Sequence, residues 1–204
     1  MSENKINLRR VGIFSTHSEQ PLYDFLQDWF VPHGIEMTTL EAGVKNRDGL
    51  DLVISFGGDG TVLAALSLFP QCPVLAVNFG NVGFLTAGDR EELGDMMQSV
   101  LEGNYIISER TVLECVHPHG TDYAVNEIVI RGATRLIAVE LNINDQHIRR
   151  VRGDGVIVGT ATGSTAYLLA AGSPIVMPEL RCMIITGLNA VSYTHLTLPT
   201  IYSV

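Results

Sequence analysis

The chain has 204 residues, 46% hydrophobic and 17% charged, a balance that fits a globular protein with a sizeable core and excludes a disordered one. Its formal net charge of -9 lacks the basic footprint that nucleic-acid binding needs. No run approaches the roughly 18 apolar residues of a membrane span, and the polar start MSENKINLRR carries no signal-peptide core, so a soluble cytoplasmic protein is expected.

Val11-Gly12-Ile13-Phe14 reads as a first buried strand. Residues 19–31 carry Leu22, Phe25, Leu26, Trp29 and Phe30 at helical spacing, and Pro32 and Gly34 stop that helix. Ile35 to Leu40 alternates as a second strand. Leu52 to Phe56 is a continuous apolar run, the pattern of a parallel strand covered on both faces. Thr61 to Phe69 reads as a helix ended by Pro70, Pro73 to Val77 as a strand, and Glu91 to Leu101 as a helix capped by Gly103. Strand and helix in alternation predict an open, mainly parallel α/β sheet over residues 1–104. Ligands of such sheets bind beyond the carboxyl ends of the strands.

After about residue 104 the pattern changes. Tyr105–Val116, Tyr123–Ile130, Leu136–Ile143 and Val156–Val158 read as strands separated by turn residues, which predicts a mainly β second domain over 105–181. A short helix is expected from Thr162–Tyr167 to about Ala171. The three cysteines, Cys72, Cys115 and Cys182, follow no metal-ligand spacing and read as isolated thiols of a reducing compartment.

Four segments carry chemistry. Gly57-Gly58-Asp59-Gly60-Thr61 joins a buried strand to a helix. Glycines without Cβ atoms let backbone N–H groups close around phosphate oxygens, and the helix start adds its positive end. A carboxylate in that nest would repel phosphate, so Asp59 fits a general base for a hydroxyl or a contact to Mg²⁺. The plain alternative is a strand-to-helix turn capped by Asp and Thr. Asn78 to Thr86 is a glycine-bearing loop at the next strand end, which would also serve as a turn. Asn126-Glu127 interrupts an apolar strand; carboxylate and amide together could hold the two hydroxyls of a ribose, while the alternative is a solvent-facing Glu beside a turn Asn. Arg152-Gly153-Asp154-Gly155 precedes Thr162-Gly163-Ser164-Thr165-Ala166-Tyr167. Hydroxyls and N–H groups at a helix start suit phosphate or ribose, and Tyr167 suits a base; a capped helix start explains the same residues without a ligand.

GGDGT, NxGxxGFLT, NE, GDG and TGSTAY, in this order over residues 10 to 178, resemble the NAD kinase family. That resemblance implies transfer of the γ-phosphoryl group of ATP, or of polyphosphate in some members, to the 2′-hydroxyl of the adenosine ribose of NAD, forming NADP. It implies a divalent cation such as Mg²⁺, whose protein ligands are unknown, and assembly into homodimers or homotetramers. It gives Asp59 as proton acceptor and Gly60 as a lining position of the NAD site. Gly57, Gly58, Gly60 and Thr61 form the phosphate loop. Asn126 and Glu127 contact NAD, Arg152 and Asp154 line the site, and Thr162, Gly163, Ser164, Thr165, Ala166 and Tyr167 hold the adenosine part. Arg135 falls near a further contact. Ala161 stands where the family usually has proline.

From about residue 182 no family motif is read, and the tail over 182–204 is expected to be foreign sequence. The expectation is a kinase chain with its NAD-binding loops present and its second domain incomplete. Two other readings compete. A non-catalytic dinucleotide-binding protein would bind NAD without turnover. A lipid kinase of the diacylglycerol type also carries GGDGT, but usually with a GTxND-like segment where this chain has Asn78-Phe79-Gly80-Asn81, and TGSTAY has no counterpart there.

Overall fold

In the computed structural model of the protein, the described residues are 6–15, 20–41, 49–78, 83 and 85–191. The chain divides into two compact units, Met1–Ala124 and Val125–Val204.

The first unit holds a five-stranded parallel sheet in the order β2-β1-β3-β4-β5, with β1 at Arg10–Ser15, β2 at Glu36–Leu40, β3 at Leu52–Phe56, β4 at Val74–Asn78 and a short β5 at Gly88–Asp89. β3 is central and all five of its residues are buried, as its unbroken apolar run predicts. Two clusters form the core. Leu22, Leu26 and Phe30 of α1 (Gln20–Phe30) and Leu93, Met97 and Val100 of α3 (Leu93–Glu102) gather with Val11, Ile13, Ile54 and Phe56. Phe14, Leu40 and Val53 gather instead with Ala65 of α2 (Asp59–Leu68) and with Phe69. Successive strand residues point to opposite faces, so Val53 and Ile54 serve different clusters and helices cover both sides of the sheet. Gly34 and Gly103 end their helical segments at φ +70° and +81°, conformations that favour glycine. A hairpin of β6 (Leu113–His117) and β7 (Gly120–Ala124) closes the unit.

The second unit is mainly β. β8 (Glu127–Arg131), β11 (Gly155–Thr160) and β12 (Met183–Leu188) form an antiparallel sheet in the order β12-β11-β8. β9 (Ile137–Ile143) and β10 (Gln146–Gly153) form a separate antiparallel hairpin. A 3₁₀ turn over Thr162–Thr165 leads into the one-turn helix α4 (Tyr167–Ala170). The parallel α/β sheet and mainly β second half are both as expected.

Several elements differ from the sequence reading. Residues 104–112 form no regular structure, so the strand expected over Tyr105–Val116 shortens to β6. The strand expected over Tyr123–Ile130 breaks at Val125-Asn126 into β7 and β8. α2 begins at Asp59, two residues before the expected start. β10 is not predicted by the sequence pattern. Six residues of the segment after 181 form β12, paired along its whole length with β11. No helix among the described residues is long and apolar enough to cross a membrane.

Candidate active site

The expected site residues belong to two loop systems, one in each unit. In the first, β3 runs into Gly57, whose φ of +150° suits glycine and whose N–H donates to Val77 O at 3.0 Å. A Cβ at Gly57 would stand 2.8 Å from Thr61 Cβ, so buried Thr61 fills the space beneath the loop. Gly58 caps α2 by its carbonyl, which accepts from Thr61 N at 2.9 Å and Val62 N at 3.3 Å, and no side chain caps the helix. Asp59 is therefore the first helical residue rather than the cap. Its Oδ1 accepts instead from Leu85 N–H at 3.1 Å, 26 residues along the chain. The capping explanation for this aspartate fails on that geometry. An added Cβ at Gly58 or Gly60 would meet nothing within 4 Å, so both present open main chain at the helix start, where the peptide dipoles favour negative charge.

The loop after β4 supplies Leu85. Asn78 at the end of β4 is buried, while Phe79 to Val82 and Phe84 lie outside the described residues. Gly83 lies against the aspartate: a Cβ there would come within 2.9 Å of Asp59 Cγ and closer still to Oδ1. Two strand-end loops thus meet at one carboxylate, at the carboxyl ends of adjacent parallel strands.

In the second unit, Asn126 lies in the break before β8 and Glu127 is that strand's first residue, opposite Gly159 of β11. Burial pushes the Glu127 carboxyl up from its ordinary value, and its buried Oε2 has no hydrogen-bond partner among the described residues. The buried hydroxyl of Thr162 lacks one too. Gly163 lies directly on Asn126, since a Cβ would fall 2.6 Å from that residue's carbonyl carbon. Ser164 is fully buried; its Oγ donates to Val176 O at 3.2 Å and accepts from Val176 N at 3.0 Å. Thr165 is exposed, with its hydroxyl 3.4 Å from Thr162 O. Ala166 links the 3₁₀ turn to α4, and Tyr167, 43% exposed, is the first residue of that helix.

Arg152 lies on β10 and lines an open cavity of about 440 Å³ with Leu136, Ile137, Ala138 and Arg150. Asp154 joins β10 to β11 and accepts from Asn189 Nδ2 at 2.7 Å. Arg135 is exposed in the turn before β9. Leu85 lies within the NxGxxGFLT motif without a role of its own there, and Asn189 and Thr160 lie outside the motifs. Thr160 is wholly buried and bonds to Val125, Asn126 and Gly163; the only local cue is a hydroxyl residue ending an apolar strand.

Comparison with known proteins follows the same division. A family model described as the ATP-NAD kinase N-terminal domain matches residues 13–105, and one described as the ATP-NAD kinase C-terminal domain matches residues 125–198. An NAD kinase of Desulfatibacillum aliphaticivorans is 34% identical over 210 residues, covering 92% of this chain and 74% of the relative. An NAD kinase of Methanothermobacter thermautotrophicus is 37% identical over 146 residues, covering 70% of this chain and 51% of the relative. The chain thus spans about half the length of several curated relatives that it matches. Among solved structures, an NAD kinase from Archaeoglobus fulgidus in complex with ATP superposes with a TM-score of 0.73 at 27% identity, covering 90% of this chain and 74% of that one. Yeast NADH kinase complexed with NADH shares the fold, with a TM-score of 0.75 at 24% identity over 92% of this chain and 68% of that one. With both domain models matched in chain order and a relative above 30% identity covered over nearly three quarters of its length, this chain belongs to the NAD kinase family.

Proposed function

We propose that this chain transfers the γ-phosphoryl group of ATP, or a phosphoryl group of polyphosphate, to the 2′-hydroxyl of the adenosine ribose of NAD, yielding NADP. The observation that carries this reading is the position of Asp59. It opens α2 without capping it, and its carboxylate is fixed by a backbone N–H from another loop. A carboxylate so held suits a proton acceptor for a ribose hydroxyl, a weak nucleophile until its proton can leave. The hydroxyl proton passes to Asp59, the oxygen forms its bond to the γ-phosphorus, and the bond from that phosphorus to ADP breaks. Open main chain at Gly58 and Gly60, at the positive end of α2, supports the phosphates.

In this reading Asn126, Glu127 and Thr162 to Tyr167 bind NAD, with the oxygens of Glu127 and Thr162 that lack partners among the described residues available to its hydroxyls. Arg152 and Asp154 border the same ligand. Among the described residues no group of three or more His, Cys, Asp or Glu side chains is placed to share a metal ion. The divalent cation is read as part of the metal–ATP substrate. A cytoplasmic homo-oligomer without nucleic-acid or membrane partners completes the proposal.

Asp59→Asn keeps the shape and removes the base. NADP formation from NAD and Mg-ATP should fall about 10²–10⁴-fold, with NAD binding retained. Wild-type chain that binds NAD and forms no NADP would leave the non-catalytic reading standing. Turnover of a diacylglycerol in place of NAD would restore the lipid-kinase reading.

A further inference from the structure

We infer that Thr160 is a positioning residue, a buried clamp that holds the two NAD-binding segments of the second unit in register; this rests on the proposed NAD site. Thr160 ends β11 and is 0% exposed, so it does not meet a ligand itself. A threonine hydroxyl has one proton to give and lone pairs to accept with. The proton goes to Val125 O at 2.5 Å, because a carbonyl can only accept. The lone pair takes the Gly163 N–H at 3.1 Å. The main-chain N–H of Thr160 donates to Asn126 O at 2.9 Å. One residue thus bonds to Val125 and Asn126 on one side and to the opening of the 162–165 turn on the other.

The clamp is tight because Gly163 has no side chain. A Cβ there would lie 2.6 Å from the Asn126 carbonyl carbon and 2.9 Å from its Cα, so the turn's backbone rests on the Asn126 backbone. Of the three buried side-chain oxygens without partners among the described residues, one, Ser55 Oγ, lies in the first unit, and the other two adjoin the clamp: Glu127 comes after the clamped Asn126, and Thr162 precedes the clamped Gly163. Thr160 therefore sets where both can meet a ligand. The hydroxyl, rather than the volume, does this, since valine would fill the same space and bond to neither Val125 nor Gly163.

Steady-state kinetics on the full chain provide the test. Thr160→Val should raise KM for NAD about tenfold to hundredfold, as expected of misplaced binding groups, and leave KM for ATP within about twofold. Thr160→Ser restores the hydroxyl and should bring KM for NAD back to within about threefold of wild type. A folded valine variant with wild-type KM for NAD overturns the inference, as does a serine variant as impaired as the valine one. A second readout needs neither ligand nor turnover: in the ligand-free wild type the Gly163 amide should exchange slowly with solvent. Fast exchange there overturns the clamp even where the valine variant fails to fold. Wild type that forms no NADP defeats the proposed activity, while Gly163 exchange and calorimetric NAD binding still decide the role of Thr160.

Discussion

Leu85 N–H donates to Asp59 Oδ1 at 3.1 Å, and Gly83, two residues earlier, leaves no room for a side chain beside the same carboxylate. The second glycine loop is thereby the holder of the first loop's acid, which accounts for a glycine at 83 that no positive φ demands. Gly83→Ala should displace the carboxylate and lower kcat about 10²-fold, with a smaller effect on KM for NAD. Kinetics beside a thermal melt check it: an unchanged kcat in a folded variant would remove the link between the loops.

The glycines of the 57–61 loop should divide by role. Gly57 takes φ +150° with the Thr61 side chain in the way of any Cβ, so Gly57→Ala should cost about 2 kcal/mol and lower Tm by roughly 4–8 °C. Gly60 lies in the first turn of α2 with open space around it, so Gly60→Ala should leave Tm unchanged or slightly raised. Its cost should fall on ATP and NAD binding instead, because the new methyl occupies space that a ligand approaches. Calorimetric melts of the two variants, read beside their KM values, separate the cases.

The first unit was readable in the sequence because parallel strands covered on both faces are unbroken apolar runs, as in Leu52–Phe56. The sequence pattern places the start of α2 two residues late because Asp59-Gly60 looks like loop, and glycine is a poor helix former. The break at Val125-Asn126 was invisible locally: both carbonyls are taken by Thr160, about 35 residues away, in place of a strand neighbour. β10 carries no apolar alternation over most of its length, since Gln146 to Arg150 are exposed and mostly polar. Its turn did carry a signal, since Asn144-Asp145 take φ +48° and +64°, the conformation that Asn and Asp tolerate in tight hairpins. Ile106, 96% exposed, shows the opposite error, an apolar residue counted toward a strand that does not form.

Ser164 tests how far the TGSTAY segment is ligand and how far scaffold. Its hydroxyl makes both of its bonds to Val176 and is fully buried. Ser164→Ala leaves a buried N–H and a carbonyl unpaired, at about 1–3 kcal/mol, and should lower Tm by several degrees. A side chain that only contacted NAD would give the reverse pattern, an unmoved Tm with a raised KM. Melts without ligand and kinetics with it distinguish the two.

Glu127 should set binding against stability through pH. Burial raises its carboxyl above the ordinary 4.5, so the folded state holds the proton more tightly than the unfolded state does. The charged form is then the costly one, and the contribution of Glu127 to stability declines as pH rises from about 4.5 through the raised folded value. Glutamine carries no charge to desolvate. The Tm of Glu127→Gln should match wild type below pH 4.5 and exceed it slightly at neutral pH. NAD affinity should move the other way, falling about tenfold, because the orphaned Oε2 that could accept from a ribose hydroxyl is gone. Melts across pH 4 to 8 with NAD titrations at pH 7 decide it: a variant less stable than wild type at neutral pH would mean that the buried oxygen has a partner within the protein after all.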